Sequence, residues 1–191
     1  MTAVVKYRKY ASTKLHQLEK RTDLELPKEL LDQFETIVNV ATEVKKILGD
    51  GWYEEVYQNA LAVELRLRGF EAEREVPLDA KYKGETVGTV RPDILVRGEH
   101  GFVIEVKRGD MFRGVHQLVQ YMKLCGLHVG YLIGFQEEKL TVWPIVSVEC
   151  ENDGSEVYVC ELTIKPSKED VRISTICVCS ARRVLDVGVL A

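Results

Sequence analysis

The order of apolar patterns along the chain predicts an α/β domain built on a small central sheet. Three observations carry this. Apolar residues recur at helical spacing over two stretches before residue 69. The pattern then changes to loose alternation and short apolar runs as far as residue 107. A third helical stretch and more strand-like runs follow, so the order is helix, three strands, helix, strand and then extra strands. A length of 191 residues, 46% hydrophobic and 29% charged, fits one domain with an extension.

Each element has a local cause. Pro27 suits the first position of a helix, and Glu25 and Glu29 lie where the helix dipole favours acids. Leu30, Leu31, Phe34, Ile37, Val38, Ala41, Val44, Ile47 and Leu48 then repeat at three- and four-residue steps, and Gly49-Asp50-Gly51 stops the run. A second helix is expected over 52–68, ending at Gly69. Residues 70–82 read as a first strand, Lys83-Gly84 as a turn, 86–97 as a second strand and 102–107 as a third. Residues 110–125 are helical again and close at Gly126. Strands are expected at 129–135 and 140–148, and then at 157–164 and 173–178, around a polar stretch at 165–170.

Composition narrows the function classes. A net charge of −4 excludes a uniformly basic nucleic-acid binder but not a local basic site. Within residues 1–22, Lys6, Arg8, Lys9, Lys14, Lys20 and Arg21 stand against the single acid Glu19. Tyr7 and Tyr10 lie among them, a pattern that suits phosphate contact and base stacking as well as a solvated tail. No apolar run approaches the ~20 residues a bilayer span needs, and the N-terminus lacks the basic-then-apolar order of a signal peptide. An intracellular protein, in cytoplasm or nucleus, is expected. The five Cys all follow residue 124 and include no CxxC knuckle. Reduced, buried thiols are a simpler reading of them than four thiolate ligands from Cys150, Cys160, Cys177 and Cys179.

Chemistry gathers in three places. Asp93 follows Pro92 in one predicted strand, and Glu105-Val106-Lys107 ends the next, after the apolar run Phe102-Val103-Ile104. The chain holds four acid-x-Lys triplets, and only this one has that context. Glu105 and Lys107 share a strand face, and a neighbouring strand can bring Asp93 to them. Paired carboxylates suit Mg2+, and a lysine beside them suits a phosphate; a plain ion pair at a sheet end is the alternative. On the helix 52–68, a stripe of Val56, Tyr57, Ala60, Leu61, Leu65 and Leu67 places Glu64 near its middle and Glu54 at its edge. Glu64 can face the sheet as a ligand or pair with Arg68 at i+4, and Glu54 can simply complement the helix dipole. On the helix 110–125, Gln117 and Tyr121 are four apart and Arg113 precedes them by one turn, which suits phosphate contacts or an ordinary polar edge. His116 lies on another face.

Taken together these residues resemble the GxxExxY family of the PD-(D/E)xK nuclease superfamily. Gly51-Trp52-Tyr53-Glu54-Glu55-Val56-Tyr57 matches the name motif and continues through Gln58-Asn59-Ala60-Leu61 and Glu64-Leu65 to Gly69-Phe70. Arg91-Pro92-Asp93 matches the second motif, Glu105-Val106-Lys107 the third, and Gln117-x-x-x-Tyr121 the QxxxY motif of the RecB and lambda-exonuclease-like branch. The likeness runs over about residues 34–148. It implies a restriction-endonuclease-like core, a mixed central sheet flanked by helices, and a Mg2+- or Mn2+-dependent site that hydrolyses DNA phosphodiesters.

By carry-over, Asp93 and Glu105 are metal ligands and Lys107 is the catalytic lysine, with Gln117 and Tyr121 in support. The helix acid is Glu54 by the motif and Glu64 by the helical wheel. Arg91, Arg108, Arg113, Lys6, Arg8 and Lys9 are the candidate contacts to nucleic acid. The expected organisation is a basic arm at 1–26, a nuclease-like domain at 27–150, and a strand extension at 151–191 packed on the same domain. That extension offers a surface for a homodimer or a protein partner. The competing reading is a nucleic-acid-binding or assembly module that keeps the fold with little activity.

Overall fold

A computed structural model describes residues 5–9, 19–21, 28–137, 139–150 and 154–162. In chain order the elements are β1 (Val5–Lys9), β2 (Glu19–Arg21), α1 (Lys28–Leu48), α2 (Glu54–Leu67), β3 (Ala72–Arg74), β4 (Leu78–Tyr82) and β5 (Glu85–Val90). They continue with β6 (Ile94–Val96), β7 (Phe102–Lys107), α3 (Met111–Cys125), β8 (Val129–Gln136), β9 (Lys139–Cys150) and β10 (Gly154–Leu162). The strand expected at 173–178 lies outside the described residues.

Eight strands form one mixed sheet in the order β2-β1-β10-β9-β8-β7-β6-β3. Among the described strands only β7 and β8 run parallel, and α3 is the crossover that such a pair requires. The sheet is wider than the predicted core alone, because β10 pairs with β9 and β1 pairs with β10. The resulting architecture is the α/β, restriction-endonuclease-like arrangement expected of the sequence, a mixed sheet between helices.

Two predicted strands are each broken in two. The stretch 86–97 becomes β5 and β6, separated at Arg91-Pro92-Asp93. Pro92 has no N–H for a ladder and fixes its own φ, so the pairing partner changes there. β5 pairs with β4 in a separate two-stranded hairpin, whereas β6 joins the main sheet. The stretch 70–82 divides where Glu75 takes a positive φ of 51° just ahead of Pro77. At the hairpin tip, Lys83 and Gly84 both have positive φ, the geometry of a tight two-residue turn.

Burial divides the interior into two layers. α1 and α2 cover one sheet face through Phe34, Ile37, Ala41, Tyr57, Leu61 and Leu65, packed on Ile94, Phe102, Ile104, Val106, Tyr131 and Ile133. The Tyr57 ring stacks on Phe135 at 4.3 Å between centroids. α3 covers the opposite face through Met111, Val115, Leu118, Tyr121 and Met122, packed on Leu95, Val103, Leu132, Trp143 and Ile145.

α3 lies close to the sheet because glycines open the space. A Cβ on Gly130 would meet the Met122 sulfur at 2.7 Å, and one on Gly134 would meet the Met111 sulfur at 2.6 Å. A Cβ on Gly114, on the helix itself, would meet Leu132 at 2.6 Å and the Lys107 side chain at 3.0 Å. Gly114→Ala therefore sets two effects against each other. It gains about 1 kcal/mol of helix propensity and incurs about 1–3 kcal/mol of overpacking against a branched side chain on a rigid sheet. Overpacking wins, so the urea midpoint falls with an unchanged m-value. The stem of Lys107 must shift as well.

Candidate active site

The site is built at the C-terminal end of β7, and strand alternation decides what faces it. Phe102, Ile104 and Val106 point to the α1/α2 layer, and Val103 points to α3. Glu105 and Lys107 therefore share the α3 side. β6 pairs with β7 at Ile94–Ile104, and one step further along the same register sets Asp93 opposite Glu105. The Pro92 break turns the chain into β6 at that point, so Asp93 enters at the strand's edge. The contact that the two neighbouring predicted strands promised is formed.

The polar contacts are few and short. The Val106 N–H donates to Asp93 Oδ2 at 2.7 Å. Lys107 Nζ donates to Glu105 Oε1 at 2.5 Å and lies 3.8 Å from Glu54 Oε1. Glu105 is fully buried, and its Oε2 has no hydrogen-bond partner. Burial pushes Glu105 up to about 7, reinforced by the charge of Asp93 and opposed by Lys107. Burial likewise raises Asp93 to about 6, against the Val106 amide and Lys107, which favour its ionised form. For Lys107 burial works the other way and favours the neutral amine. The bond to Glu105 and the charges of Glu105, Glu54 and Asp93 outweigh it, so the ammonium is held above its ordinary value.

Of the two helix acids, Glu54 is the one the fold brings to Lys107. It is the first residue of α2, and its Oε2 accepts the Arg108 N–H at 2.9 Å while Oε1 faces Lys107. Two ties fix the loop that aims it. The Trp52 indole N–H donates to the Leu48 carbonyl, and the Tyr57 hydroxyl donates to the Gly49 carbonyl, at 2.9 and 2.8 Å. Glu64, the other candidate, has Oε1 accepting from Arg68 at 2.9 Å, the i+4 pair of its own helix. The buried face of α2 is Tyr57, Gln58, Leu61, Ala62 and Leu65, while Leu67 is 77% exposed. The expected stripe counted Leu67 and the half-buried Val56 and Ala60 and left out Gln58 and Ala62, so it pointed about 100° from the buried face, toward Glu64 and away from Glu54.

α3 adds a third wall. Gln117 Nε2 donates to the Tyr121 hydroxyl at 2.7 Å, joining the two residues the spacing had paired. Burial raises the Tyr121 pKa, and the charges of Glu105 and Asp93 raise it further, which places the phenol within their electrostatic reach. Arg108 is half-buried and contributes its N–H to Glu54, and Arg91 and Arg113 are exposed at the approaches. Lys6, Arg8 and Lys9 lie on β1, four strands from β7. At ~4.8 Å per strand that is roughly 19 Å from the carboxylates. Two participants were not singled out from the sequence. Gln58 is buried one turn after Glu54 and favours the ionised form of Asp93. Arg74, at the end of β3, bonds Gln58 in turn. The i+4 spacing of Gln58 from Glu54 was the available signal.

Among the described residues no three acidic, His or Cys side chains converge as a ready metal cluster. The donors are the Asp93–Glu105 pair, and one or two carboxylates are what Mg2+ commonly takes from a protein. The buried, unpartnered Glu105 Oε2 fits that use, since a carboxylate oxygen there is costly without a cation or a proton.

A family model for the PD-(D/E)XK nuclease superfamily matches residues 32–143, which include Glu54, Asp93, Glu105, Lys107, Gln117 and Tyr121. This chain belongs to the PD-(D/E)XK nuclease superfamily. No curated protein matches it. A solved structure described as the crystal structure of SSO0001 is similar over 59% of this chain and 59% of its own, at 19% identity and a TM-score of 0.39. Superfamily members generally hydrolyse phosphodiester bonds with divalent metals such as Mg2+. No helix among the described residues is long and apolar enough to cross a membrane.

The raised carboxylates set a pH dependence. Between the unfolded glutamate value of 4.5 and the folded value of about 7, the folded protein binds more protons than the unfolded chain. The stability this pair contributes is therefore greatest at the acid end and is lost as pH rises through the window. In EDTA, urea titrations of wild type should show this loss relative to Glu105→Gln, which removes one of the two buried charges. Parallel pH profiles for the two proteins would show that the pair is not coupled through burial.

Proposed function

We propose that this chain is a Mg2+- or Mn2+-dependent deoxyribonuclease of the GxxExxY branch. The observation that supports it most is the buried Glu105 carboxylate, with Lys107 on one oxygen, no partner on the other, and Asp93 beside it. A structural ion pair has no need of a second buried acid there. The branch assignment rests on Gly51, Glu54 and Tyr57 at the motif spacing, with Glu54 the acid that reaches the lysine.

Asp93 and Glu105 would hold the ion. When bound, it lowers the pKa of a water and neutralises charge on a phosphate oxygen. The Val106 amide fixes the Asp93 rotamer, leaving carboxylate lone pairs for coordination. Lys107 remains charged at neutral pH and can orient the attacking water or stabilise the developing charge on the phosphate. Gln117 donates to the Tyr121 oxygen, so the hydroxyl hydrogen is directed elsewhere, toward the carboxylates or a bound phosphate. The exposed Arg91 and Arg113 and the half-buried Arg108 would meet flanking phosphates.

Cleavage of single-stranded, double-stranded and branched DNA with Mg2+, with Mn2+ and with EDTA tests the reading. Metal-dependent products are expected, and binding without cleavage under every condition would favour the assembly-module alternative. Lys107→Ala should lower turnover at least about a hundredfold while leaving DNA affinity and the urea midpoint nearly unchanged. Wild-type cleavage by Lys107→Ala would remove the lysine from the mechanism. Glu54→Gln should need more Mn2+ for half-maximal rate, whereas Glu64→Gln should titrate like wild type. The reverse order would restore Glu64 to the site.

A further inference from the structure

The β4–β5 hairpin stands apart from the main sheet, and most residues of both strands are exposed. Two strands alone are marginal in water, so a free-standing pair needs a firm root. Its root is the carboxylate site. On the entering leg the Glu75 N–H donates to the Asp93 carbonyl at 3.4 Å. On the leaving leg only Arg91 and Pro92 separate Val90 from Asp93. Pro77 and Pro92 stiffen the two legs by fixing their own φ. Leu78 and Val90 pair with each other and pack on the α3 layer, the side of the sheet that carries Glu105 and Lys107. Farther out, Asp79 ties the strands together by accepting the Thr89 hydroxyl at 3.2 Å and the Thr86 hydroxyl at 3.5 Å.

The tip carries charge that the hairpin itself does not use. Lys81, Tyr82 and Lys83 are exposed, and among the described residues neither lysine forms an ion pair. Lys83 Nζ lies 5.4 Å from the centre of the Tyr82 ring. Lys83 also occupies the first central position of the turn, at φ 49°, with Gly84 after it at φ 89°. Turns of this kind favour Asn or Asp there, whose short polar side chains tolerate the left-handed region, and a lysine is strained in it. Local folding therefore gives no reason for a cation at that position, whereas an anion beyond the tip does. Glu85, paired across from Tyr82, is the opposing charge.

We propose that the β4–β5 hairpin is an arm that grips double-stranded DNA some base pairs away from the scissile phosphate, with Lys81, Tyr82 and Lys83 on backbone phosphates. This rests on the nuclease reading above and gives it a duplex substrate. From Val90 to Glu85 the arm extends about 17 Å at ~3.3 Å per residue, and three more residues reach Asp93, so the tip lies within about 27 Å of the carboxylates. At ~3.4 Å per base pair that is at most about eight base pairs. Duplex DNA has a persistence length of ~150 base pairs, so a duplex leaving the site holds its path past a rigid arm. A single strand bends away at no comparable cost. A two-stranded ribbon also has the width that the major groove admits.

The test reads binding apart from cleavage, on the full chain. Affinity for a duplex of about 30 base pairs is measured by fluorescence anisotropy in EDTA, and kcat and KM are measured with Mn2+. Lys81→Gln combined with Lys83→Gln should raise the duplex Kd about tenfold at low salt and reduce the slope of log affinity against log salt by about two, one for each lost phosphate contact. KM should rise in step while kcat stays near wild type. Lys83→Asn gives the turn a residue it prefers, so its urea midpoint should hold or rise while duplex affinity still falls. Glu85→Gln should act with the opposite sign and tighten binding. Lys28→Gln combined with Lys123→Gln removes the same charge from the start of α1 and the end of α3, and should leave the salt slope unchanged. Single-stranded DNA should be bound alike by wild type and the arm variants. Wild-type affinity and salt slope in the Lys81/Lys83 variant, an equal loss in the Lys28/Lys123 variant, an equal loss on single strands, or no tightening in Glu85→Gln overturns the proposal. Absence of cleavage with either metal overturns the nuclease reading instead, since the binding measurements in EDTA do not depend on turnover.

Discussion

The arrangement depends on a carboxylate, Glu105, placed where a hydrophobic strand would otherwise continue. Its flanking residues on β7 are fully buried, and so is Glu105 itself. An isolated charge in that position costs several kcal/mol, so the surroundings must supply a cation, a proton or both. Lys107 supplies part of this by folding back over one residue to the nearer oxygen. The farther oxygen keeps its demand. The elements that meet at the end of β7 set it: β6 brings Asp93 and α2 brings Glu54, whose charges add to the demand, and α3 brings Tyr121 within their electrostatic reach.

Three different structural devices deliver those side chains. Pro92 breaks the ladder so that Asp93 can sit at a strand edge and still accept an amide from Val106. The loop before α2 is tied at Leu48 and Gly49, and Lys45 reaches both Asp50 and the Gln136 carbonyl at the end of β8. That anchoring aims the start of the helix at the end of β7. The glycines on α3 and β8 let a whole helix descend onto the sheet, and one of them, Gly114, leaves room for the stem of Lys107. Each device acts at a distance from the chemistry and sets it by position.

Electrostatics separates the site from the rest of the surface. The body of the protein is acidic, and the basic residues of β1 lie four strands from β7 in the sheet. In the proposed reading, the cations nearest the carboxylates are Lys107, Arg108, Arg91 and Arg113 rather than a broad basic face. Affinity on such a surface depends on the local cations and the bound metal more than on net charge.

What could be read from the sequence was whatever a short segment determines for itself. An acid and a lysine two apart at the end of an apolar run share a strand face by geometry alone. Gln117 and Tyr121 meet because four residues make about one helical turn. Pro-Asp one strand earlier marked the partner, although not the break in pairing that delivers it. Glu54 and Glu64 could not be ranked, because a helix's apolar residues do not say which of them the fold will cover. Leu67 looks like core and is solvent-exposed, while Gln58 looks like surface and is buried. The width of the sheet and the descent of α3 were equally out of reach. They join residues tens of positions apart, and their existence depends on how two layers pack on a sheet, a property that no local spacing contains.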